Sequence, residues 1–265
     1  MLLHVDAFTA EPFGGNPAAV LFLDDERDES WLQAFAAEMN LPETAYPRLR
    51  PDGDWDLRWF TPTVEVDLCG HATLASAHAL WSTGRAPTDV PLRFRTRSGV
   101  LTVRSLGDGR AELDLPALHA GYAHLPDDLA AHLGLELHAV HHSGRHPNAY
   151  RLVVVADPGV VRALTPDFAA LRAASGDSYI VTALGDDTRH DVVSRYFAPA
   201  HGIDEDPATG AAHCVLAPYW SERLARPVLR CHQASARGAE LECEPRGDRV
   251  LIRGHAVTVY EATLC

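Results

Sequence analysis

The sequence predicts an α+β fold of two pseudo-symmetric halves, each a curled mixed or antiparallel sheet around a central helix. Trp-Phe-Thr-Pro at 59–62 returns as Tyr-Phe-Ala-Pro at 196–199, and a second echo follows each copy after a similar interval. A period this long indicates a duplicated domain rather than a solenoid. Residues 72–81 and 208–217 are small or apolar almost all round, which is typical of a helix enclosed by other structure.

The two halves are expected at residues 1–118 and 119–265, with a linker near 116–126 and the last strands able to cross over. Turns that contain glycine at 107–109 and 247–248 predict β-hairpins. Alternating apolar and polar residues predict strands in a further set of segments: 92–96, 101–105, 113–115, 192–197 and 257–260.

An amphipathic helix is predicted from Asp28 to Met39, with Asn40 as its C-terminal stop. Trp31, Phe35 and Met39 recur at a helical spacing, so we expect them to form its apolar face. Two shorter surface helices are expected near 126–133 and 166–174.

Composition and charge exclude several classes of function. All 23 positive charges are arginine, so the sequence has no lysine for a pyridoxal Schiff base or a P-loop. A net charge of -13 argues against nucleic acid and anionic membranes as partners. Five cysteines without a C-x-x-C pair favour reduced thiols, and no apolar run reaches membrane-spanning length. We therefore expect a cytoplasmic protein that binds a small molecule.

Each enclosed helix is expected to begin at a turn rich in donors, at 68–71 and 205–210. A helix start presents unpaired N–H groups and a partial positive charge, so it binds carboxylates readily. Related halves would place two such starts at one cleft. An ordinary helix cap followed by proline explains Asp206 and Pro207 equally well.

Glu43 lies between apolar neighbours where a strand is expected to start. An exposed edge carboxylate is the simpler interpretation. The repeat places 179–180 opposite Glu43, so the second half offers no matching carboxylate. A single carboxylate suits removal and return of a proton on one face of a substrate. A racemase with two cysteines is disfavoured, because the position equivalent to Cys69 is Asp206 or Pro207.

The sequence contains 15 histidines, but those described next do not indicate a catalytic or metal site. His78 and His213, inside the small-residue stretches, are interpreted as core residues. No metal site is expected at the histidine-rich patch, because its spacing fits no common zinc pattern: His138, His141, His142 and His146.

Four motifs in one order carry a specific resemblance. The first joins 5–9 with 13–20, and the others lie at 42–45, 67–73 and 205–210. Together they resemble the PhzF-type isomerase family of phenazine biosynthesis, over nearly the whole chain. The resemblance implies a diaminopimelate-epimerase-like fold, a homodimer, and an isomerase without a cofactor.

The resemblance also implies roles for particular residues. Glu43 would take a proton from one carbon of a dihydro-hydroxyanthranilate-like carboxylate and return it to another, with His71 and Asp206 beside it as catalytic residues. The expected substrate-binding positions lie in the loops and helix starts: Asn16, Gly70, Ala72, Gly210 and Ala211. Ala211 stands where the family usually has serine, which removes one hydrogen-bonding group.

Two alternatives stay open. A non-catalytic binding or regulatory protein on the same fold is favoured by Ala211. A thiol enzyme would use Cys69 and would lose its activity on alkylation.

Overall fold

The computed structural model describes residues 1–23, 25–136, 140–146 and 150–264. The helices are α1 Glu29–Met39, α2 Gly70–Ser82, α3 Asp127–His132, α4 Pro158–Ala163, α5 Phe168–Ala174 and α6 Gly210–Leu224. The strands are β1 Leu2–Ala7, β2 Asn16–Leu21, β3 Glu43–Leu49, β4 Trp55–Phe60, β5 Glu65–Val66, β6 Leu92–Thr96, β7 Gly99–Gly107, β8 Arg110–Pro116, β9 Gly121–Tyr122, β10 Val140–His146, β11 Tyr150–Val155, β12 Ser178–Leu184, β13 Val192–Ala198, β14 Ile203–Glu205, β15 Leu229–Gln233, β16 Ala239–Arg246 and β17 Arg249–Ala262.

Tertiary contacts divide the chain into two compact units. The first contains Met1–Leu115 and the C-terminal region from Leu251 onward, and the second contains Pro116–Val250. Both units combine many strands with few helices, so the α+β prediction is confirmed. Among the described residues, none of the helices has both the length and the apolar character needed to cross a bilayer.

The first unit alternates antiparallel and parallel strand pairs. β1 pairs antiparallel with β2, β2 parallel with β3, and β3 antiparallel with β4. β4 then pairs antiparallel with β5 and parallel with β6, and β6 is followed by the antiparallel β7 and β8. Helix α2 packs on β1, β2 and β3, and all its residues from Gly70 to Ala77 are buried.

The second unit repeats this order of pairings. β10, β11, β12, β13 and β14 pair in the same antiparallel, parallel, antiparallel, antiparallel series, and β13 also pairs parallel with β15. β15 is antiparallel to β16, and both contact helix α6. The predicted duplication is therefore visible in the strand connections as well as in the sequence.

A matching ion pair braces one hairpin in each unit. Arg58 donates two hydrogen bonds to Glu65 at 2.7 and 2.6 Å, and Arg195 donates two to Glu205, both at 2.7 Å. Each guanidinium also lies over the phenylalanine two residues further on, at 5.0 and 4.9 Å from the ring centre. Paired hydrogen bonds of this kind fix geometry strongly. This repeated brace was not predicted from the sequence.

Helix α1 follows its predicted limits, and its predicted apolar residues lie on the face that packs against the core. Leu32 and Ala36 are the buried residues, whereas Trp31, Phe35 and Met39 are partly buried and pack beside them. Trp31 and Phe35 stack on each other with ring centres 5.4 Å apart. The helix therefore contacts the core most closely through Leu32 and Ala36. The rings of Trp31 and Phe35 pack at the edge of this contact.

Other local predictions agree with the structure in most places. The predicted strand at 92–96 coincides with β6, and the remaining four lie within β7, β8, β13 and β17. The expected linker at 116–126 contains β9, which pairs with β10, so this part is not a simple linker. Helix α4 was not predicted, because its six residues are too few for a clear period.

Candidate active site

Strand β3 begins with the predicted base. Glu43 pairs with Ala18 of the parallel strand β2, so its backbone position is fixed by the sheet. Its side chain is 11% exposed. The interpretation of Glu43 as an exposed edge carboxylate is therefore wrong. β12 of the second unit begins at Ser178, so the structurally equivalent residue is a serine and not the 179–180 pair that the sequence offset suggested.

His71 faces this carboxylate from the first turn of helix α2. Its Nε2 lies 3.0 Å from Oε2 of Glu43, and the ring is buried. Neither atom has an aligned hydrogen-bond partner within the part of the chain that the structure describes. The two groups therefore form a close ion pair without the geometry of an aligned hydrogen bond, which leaves hydrogen-bonding capacity for a further group.

Asn16 fixes the orientation of the His71 ring. The Asn16 side-chain nitrogen lies 3.0 Å from Nδ1 of His71, and the Cys69 sulfur lies 3.6 Å from the same atom. In the neutral ring, an amide that donates to Nδ1 leaves the ring hydrogen on Nε2, toward Glu43. In the protonated ring both nitrogens carry hydrogen, so the Asn16 amide presents its oxygen to Nδ1 instead. Gly15 positions Asn16: its φ is +57°, and a Cβ there would lie 2.0 Å from the Ala7 carbonyl oxygen.

The surroundings of His71 favour its protonated form. Burial opposes the charge, but the Cys69 sulfur and the Glu43 carboxylate outweigh it and raise the pKa of His71 well above its ordinary value. Burial has the opposite effect on Cys69: removal from water disfavours the thiolate and raises the pKa of the thiol. A buried thiol that holds its proton is a poor nucleophile, so the thiol-enzyme alternative loses support.

The start of helix α2 adds a partial positive charge next to this pair. Gly70 is its first residue and Ala72 its third, and both are buried. Cys69 occupies the N-cap position but its side chain makes no capping hydrogen bond. The first unit thus brings together most of the predicted site: Asn16, Glu43, Gly70, His71 and Ala72.

Asp206 belongs to a hydrogen-bonded turn in the second unit. Its Oδ2 accepts a hydrogen bond of 2.5 Å from the Thr209 hydroxyl. Gln233 donates to the Asp206 carbonyl at 2.6 Å and accepts from the Thr209 backbone N–H at 2.8 Å. Helix α6 begins at Gly210 with Thr209 as N-cap, so Asp206 is not the cap residue that the simpler interpretation required. Thr209 and Gln233 were not predicted, because no motif links residues 24 positions apart.

The first turn of α6 contains Gly210 and Ala211, and His213 follows one turn later. His213 is fully buried, and its Nδ1 donates to the Thr209 carbonyl at 2.8 Å. Burial lowers the pKa of His213 to about 4, although this hydrogen bond partly opposes the shift. His213 is therefore a neutral core residue. His78, the other predicted core histidine, is partly buried and contacts the Thr258 hydroxyl at 3.0 Å.

The candidate base, Glu43, also belongs to a group of side chains that could bind a metal ion. One ligand atom each from Glu43, Cys69 and His71 lie within 4.8 Å of one another. A metal ion bound here would displace the thiol proton and would occupy the carboxylate of the candidate base. In the predicted histidine patch, His138 and the side chain of His141 fall outside the described residues, and His142 and His146 are not in a metal-competent group within the described chain.

Comparisons with known proteins agree along the whole chain. A family model described as phenazine biosynthesis-like protein, PhzC-PhzF, matches residues 5–262. An uncharacterized isomerase of Pseudomonas aeruginosa is 48% identical over 99% of this chain and 98% of its own length. A phenazine biosynthesis-like domain-containing protein of Homo sapiens is 40% identical over 98% of this chain and 96% of its own length.

Solved structures have the same fold. A PhzF-family phenazine biosynthesis protein from Enterococcus faecalis superimposes with a TM-score of 0.91 at 39% identity, covering 99% of this chain and 98% of that chain. A probable proline racemase from Agrobacterium radiobacter gives a TM-score of 0.66 at 13% identity, covering 100% and 93%, and shows the fold alone. The predicted epimerase-like fold is confirmed. The chain therefore belongs to the phenazine biosynthesis-like, PhzF-type family and is an isomerase of that type.

Proposed function

We propose that the protein is a cofactor-independent isomerase or epimerase of a small carboxylate, with Glu43 as its single proton carrier. One observation carries the proposal. Oε2 of Glu43 and Nε2 of His71 lie 3.0 Å apart, buried and without aligned hydrogen-bond partners among the described residues. A base that must reach a substrate carbon needs a carboxylate oxygen that no aligned hydrogen bond within the protein occupies.

The reaction begins when Glu43 removes a proton from a carbon next to an unsaturated system. The electrons of the broken C–H bond enter the conjugated system of the substrate, so no external electron acceptor is needed. Glu43 then delivers this proton, or one exchanged with solvent, to a different carbon for isomerisation. Epimerisation instead requires delivery to the opposite face of the same carbon, so the planar intermediate must first turn that face toward Glu43. His71 donates its Nε2 hydrogen toward Glu43 or the substrate, and Asn16 keeps that hydrogen in place.

Negative charge that develops on the substrate is stabilised by donors. The start of helix α2, at Gly70 and Ala72, has a partial positive charge, and Gly210 and Ala211 form the corresponding start of α6. Asp206, held by Thr209, is proposed to bind a polar substrate group. A homodimer and a cytoplasmic location are further parts of this proposal, which rest on the family resemblance.

The decisive experiment measures carbon-bound deuterium. The enzyme is incubated in D₂O with dihydro-hydroxyanthranilate and with a panel of small unsaturated carboxylates, and the ligands are analysed by mass spectrometry. We expect isomerised or epimerised product in at least one case, and Glu43→Gln is expected to abolish its formation. A ligand that binds without chemical change would instead favour the non-catalytic binding protein, which the alanine at 211 favours.

The Cys69→Ala variant distinguishes the proposed mechanism from the thiol-enzyme alternative. The variant is expected to keep most of the activity, because Cys69 only contacts the ring of His71. Loss of all activity in Cys69→Ala together with full activity in Glu43→Gln would overturn the proposal.

A further inference from the structure

Three metal-ligating side chains meet in the second unit, outside the residues assigned to the isomerase site. His190 lies in the loop before β13, His232 on β15 and Glu240 on β16. One ligand atom from each lies within 4.8 Å of the others. The isomerase mechanism uses none of them.

The sheet places two of these ligands side by side. His232 and Glu240 are direct cross-strand partners in the antiparallel pair β15–β16, so their side chains leave the same face. Nδ1 of His232 lies 3.2 Å from Oε1 of Glu240. The side chains are 26% and 60% exposed, so an ion can enter from solvent.

His190 is the buried member, and it is braced from behind. Its Nδ1 lies 3.0 Å from Oδ2 of Asp187, and the other Asp187 oxygen accepts the backbone N–H groups of Arg189 and His190, both at 2.7 Å. A carboxylate that accepts the second ring N–H of a histidine is the usual support of a metal-binding imidazole. Because the Nδ1 hydrogen points to Asp187, Nε2 is directed toward Glu240, at 2.7 Å.

We propose that His190, His232 and Glu240 bind one divalent transition-metal ion, and that zinc fits this donor set best. Two nitrogens and one carboxylate oxygen are typical zinc ligands, with water in the fourth position. Zinc bond lengths and a tetrahedral angle separate ligand atoms by about 3.4 Å. The contact between His232 and Glu240 already has nearly this length, and the exposed carboxylate moves slightly away from His190 to admit the ion.

Without an ion, both histidines contact Glu240 through hydrogen bonds. The rings of His190 and His232 also pack against each other, with centres 4.9 Å apart. The cation Arg189 lies 3.9 Å from Asp187 but is 79% exposed, so solvent screens its charge from a bound ion. Charge therefore does not prevent binding.

The test uses the untagged full chain, freed of metal with a chelator and titrated with zinc chloride in a calorimeter. We expect one zinc ion per chain. His232→Ala and Glu240→Gln should each weaken binding at least tenfold, and Asp187→Asn should weaken it about 10- to 100-fold with all three ligands retained. Cobalt(II) should give tetrahedral visible absorption that His232→Ala abolishes.

Cys69→Ala is the matched control, because Cys69 belongs to the other metal-competent group. Its zinc binding is expected to be unchanged. The proposal is overturned if zinc does not bind, if His232→Ala and Glu240→Gln both bind as tightly as the parent, or if Cys69→Ala removes the binding. Glu240 is 60% exposed, so Glu240→Gln tests the site even where a histidine variant does not fold.

Discussion

Helices α2 and α6 begin in equivalent places of two repeated units, but the carboxylates beside their first turns differ in how fully they are bonded. At α2, Oε2 of Glu43 lies 3.0 Å from Nε2 of His71 without an aligned hydrogen bond, as judged over the described residues. At α6, Asp206 and Thr209 are tied to each other and to Gln233. Duplication thus supplied one scaffold twice, and the carboxylate that the proposed function uses, Glu43, lies in the first copy.

The largest expected effect tests whether the first unit, and not the second, supplies the catalytic base. Glu43→Gln keeps the shape of the side chain but removes the base, so kcat should fall about 10²- to 10⁴-fold. Ser178→Ala changes the equivalent position of the second unit and should leave kcat within a factor of a few. Steady-state kinetics on the substrate found by deuterium exchange provides the measurement. Equal losses in both variants would contradict the comparison.

The second prediction compares the hairpin braces. Arg195→Ala leaves the largely buried Glu205 without its cation and should lower the free energy of unfolding by about 3–5 kcal/mol. Arg58→Ala should cost only about 1–2 kcal/mol, because Glu65 also contacts Arg97 at 2.5 Å and solvent reaches the Arg58 side chain. Urea denaturation measures both values.

Arg162→Ala is the control for these variants. Arg162 pairs with Asp186 where both side chains are exposed, so its loss should cost under about 1 kcal/mol. If Arg58→Ala proves the more damaging of the two brace variants, the two hairpins do not depend on their ion pairs as described.

The third prediction concerns pH, because the histidines of the two helix starts shift in opposite directions. The pKa of His213 is about 4 in the folded protein, below the unfolded value of about 6.5. Its contribution to stability is complete above pH 6.5 or so and is lost as the pH falls toward 4, by up to about 3 kcal/mol. His213→Gln should flatten the acid side of the stability profile.

His71 should act with the opposite sign. Because its folded pKa is raised, its stabilisation is present below the unfolded pKa and is lost as the pH rises through the folded value. His71→Gln should therefore flatten the alkaline side and leave the acid side unchanged. Thermal unfolding across the pH range compares the two variants, and matching profiles would show that the two helix starts respond alike.

The last prediction concerns the turn that supports the first candidate site, where the expected loss of activity is smaller than in Glu43→Gln. Gly15→Ala combines a positive φ with a clash against the Ala7 carbonyl, and should cost about 1–3 kcal/mol of stability and reduce kcat/KM through displacement of Asn16. Gly53→Ala has a φ of +87° but open space around it. It should cost less stability and leave kcat/KM unchanged. Activity that survives in Gly15→Ala would show that Asn16 is not needed.

Local patterns predicted much of the fold. The echo of Phe60 in Phe197 and the small-residue stretches indicated the duplication and located both central helices, because a duplicated core leaves duplicated residues. The face of α1 was predicted only in part: Trp31 and Phe35 pack against the core, but their neighbours Leu32 and Ala36 are buried more deeply. The depth of burial depends on contacts in the folded protein, which the spacing of apolar residues alone does not give.

The site was predictable where motifs are contiguous. The segments around Asn16, Glu43 and His71 are short, and the family resemblance connected them. The contacts of Thr209 with Gln233 and of His190 with Glu240 join residues far apart in sequence. The sequence patch at 138–146 attracted attention because its histidines are adjacent, whereas the metal-competent histidines, His190 and His232, are brought together by the parallel pairing of β13 with β15.

The braces formed by Arg58 with Glu65 and by Arg195 with Glu205 have an evolutionary consequence. Each holds its hairpin without using any group of the adjoining helix start. Residues at those starts can therefore drift after a duplication while the hairpins stay folded. An ancestor with two identical copies could lose one reactive carboxylate, or exchange a serine for an alanine at 211, without risk to its architecture, and such tolerance allows one scaffold to explore new substrates.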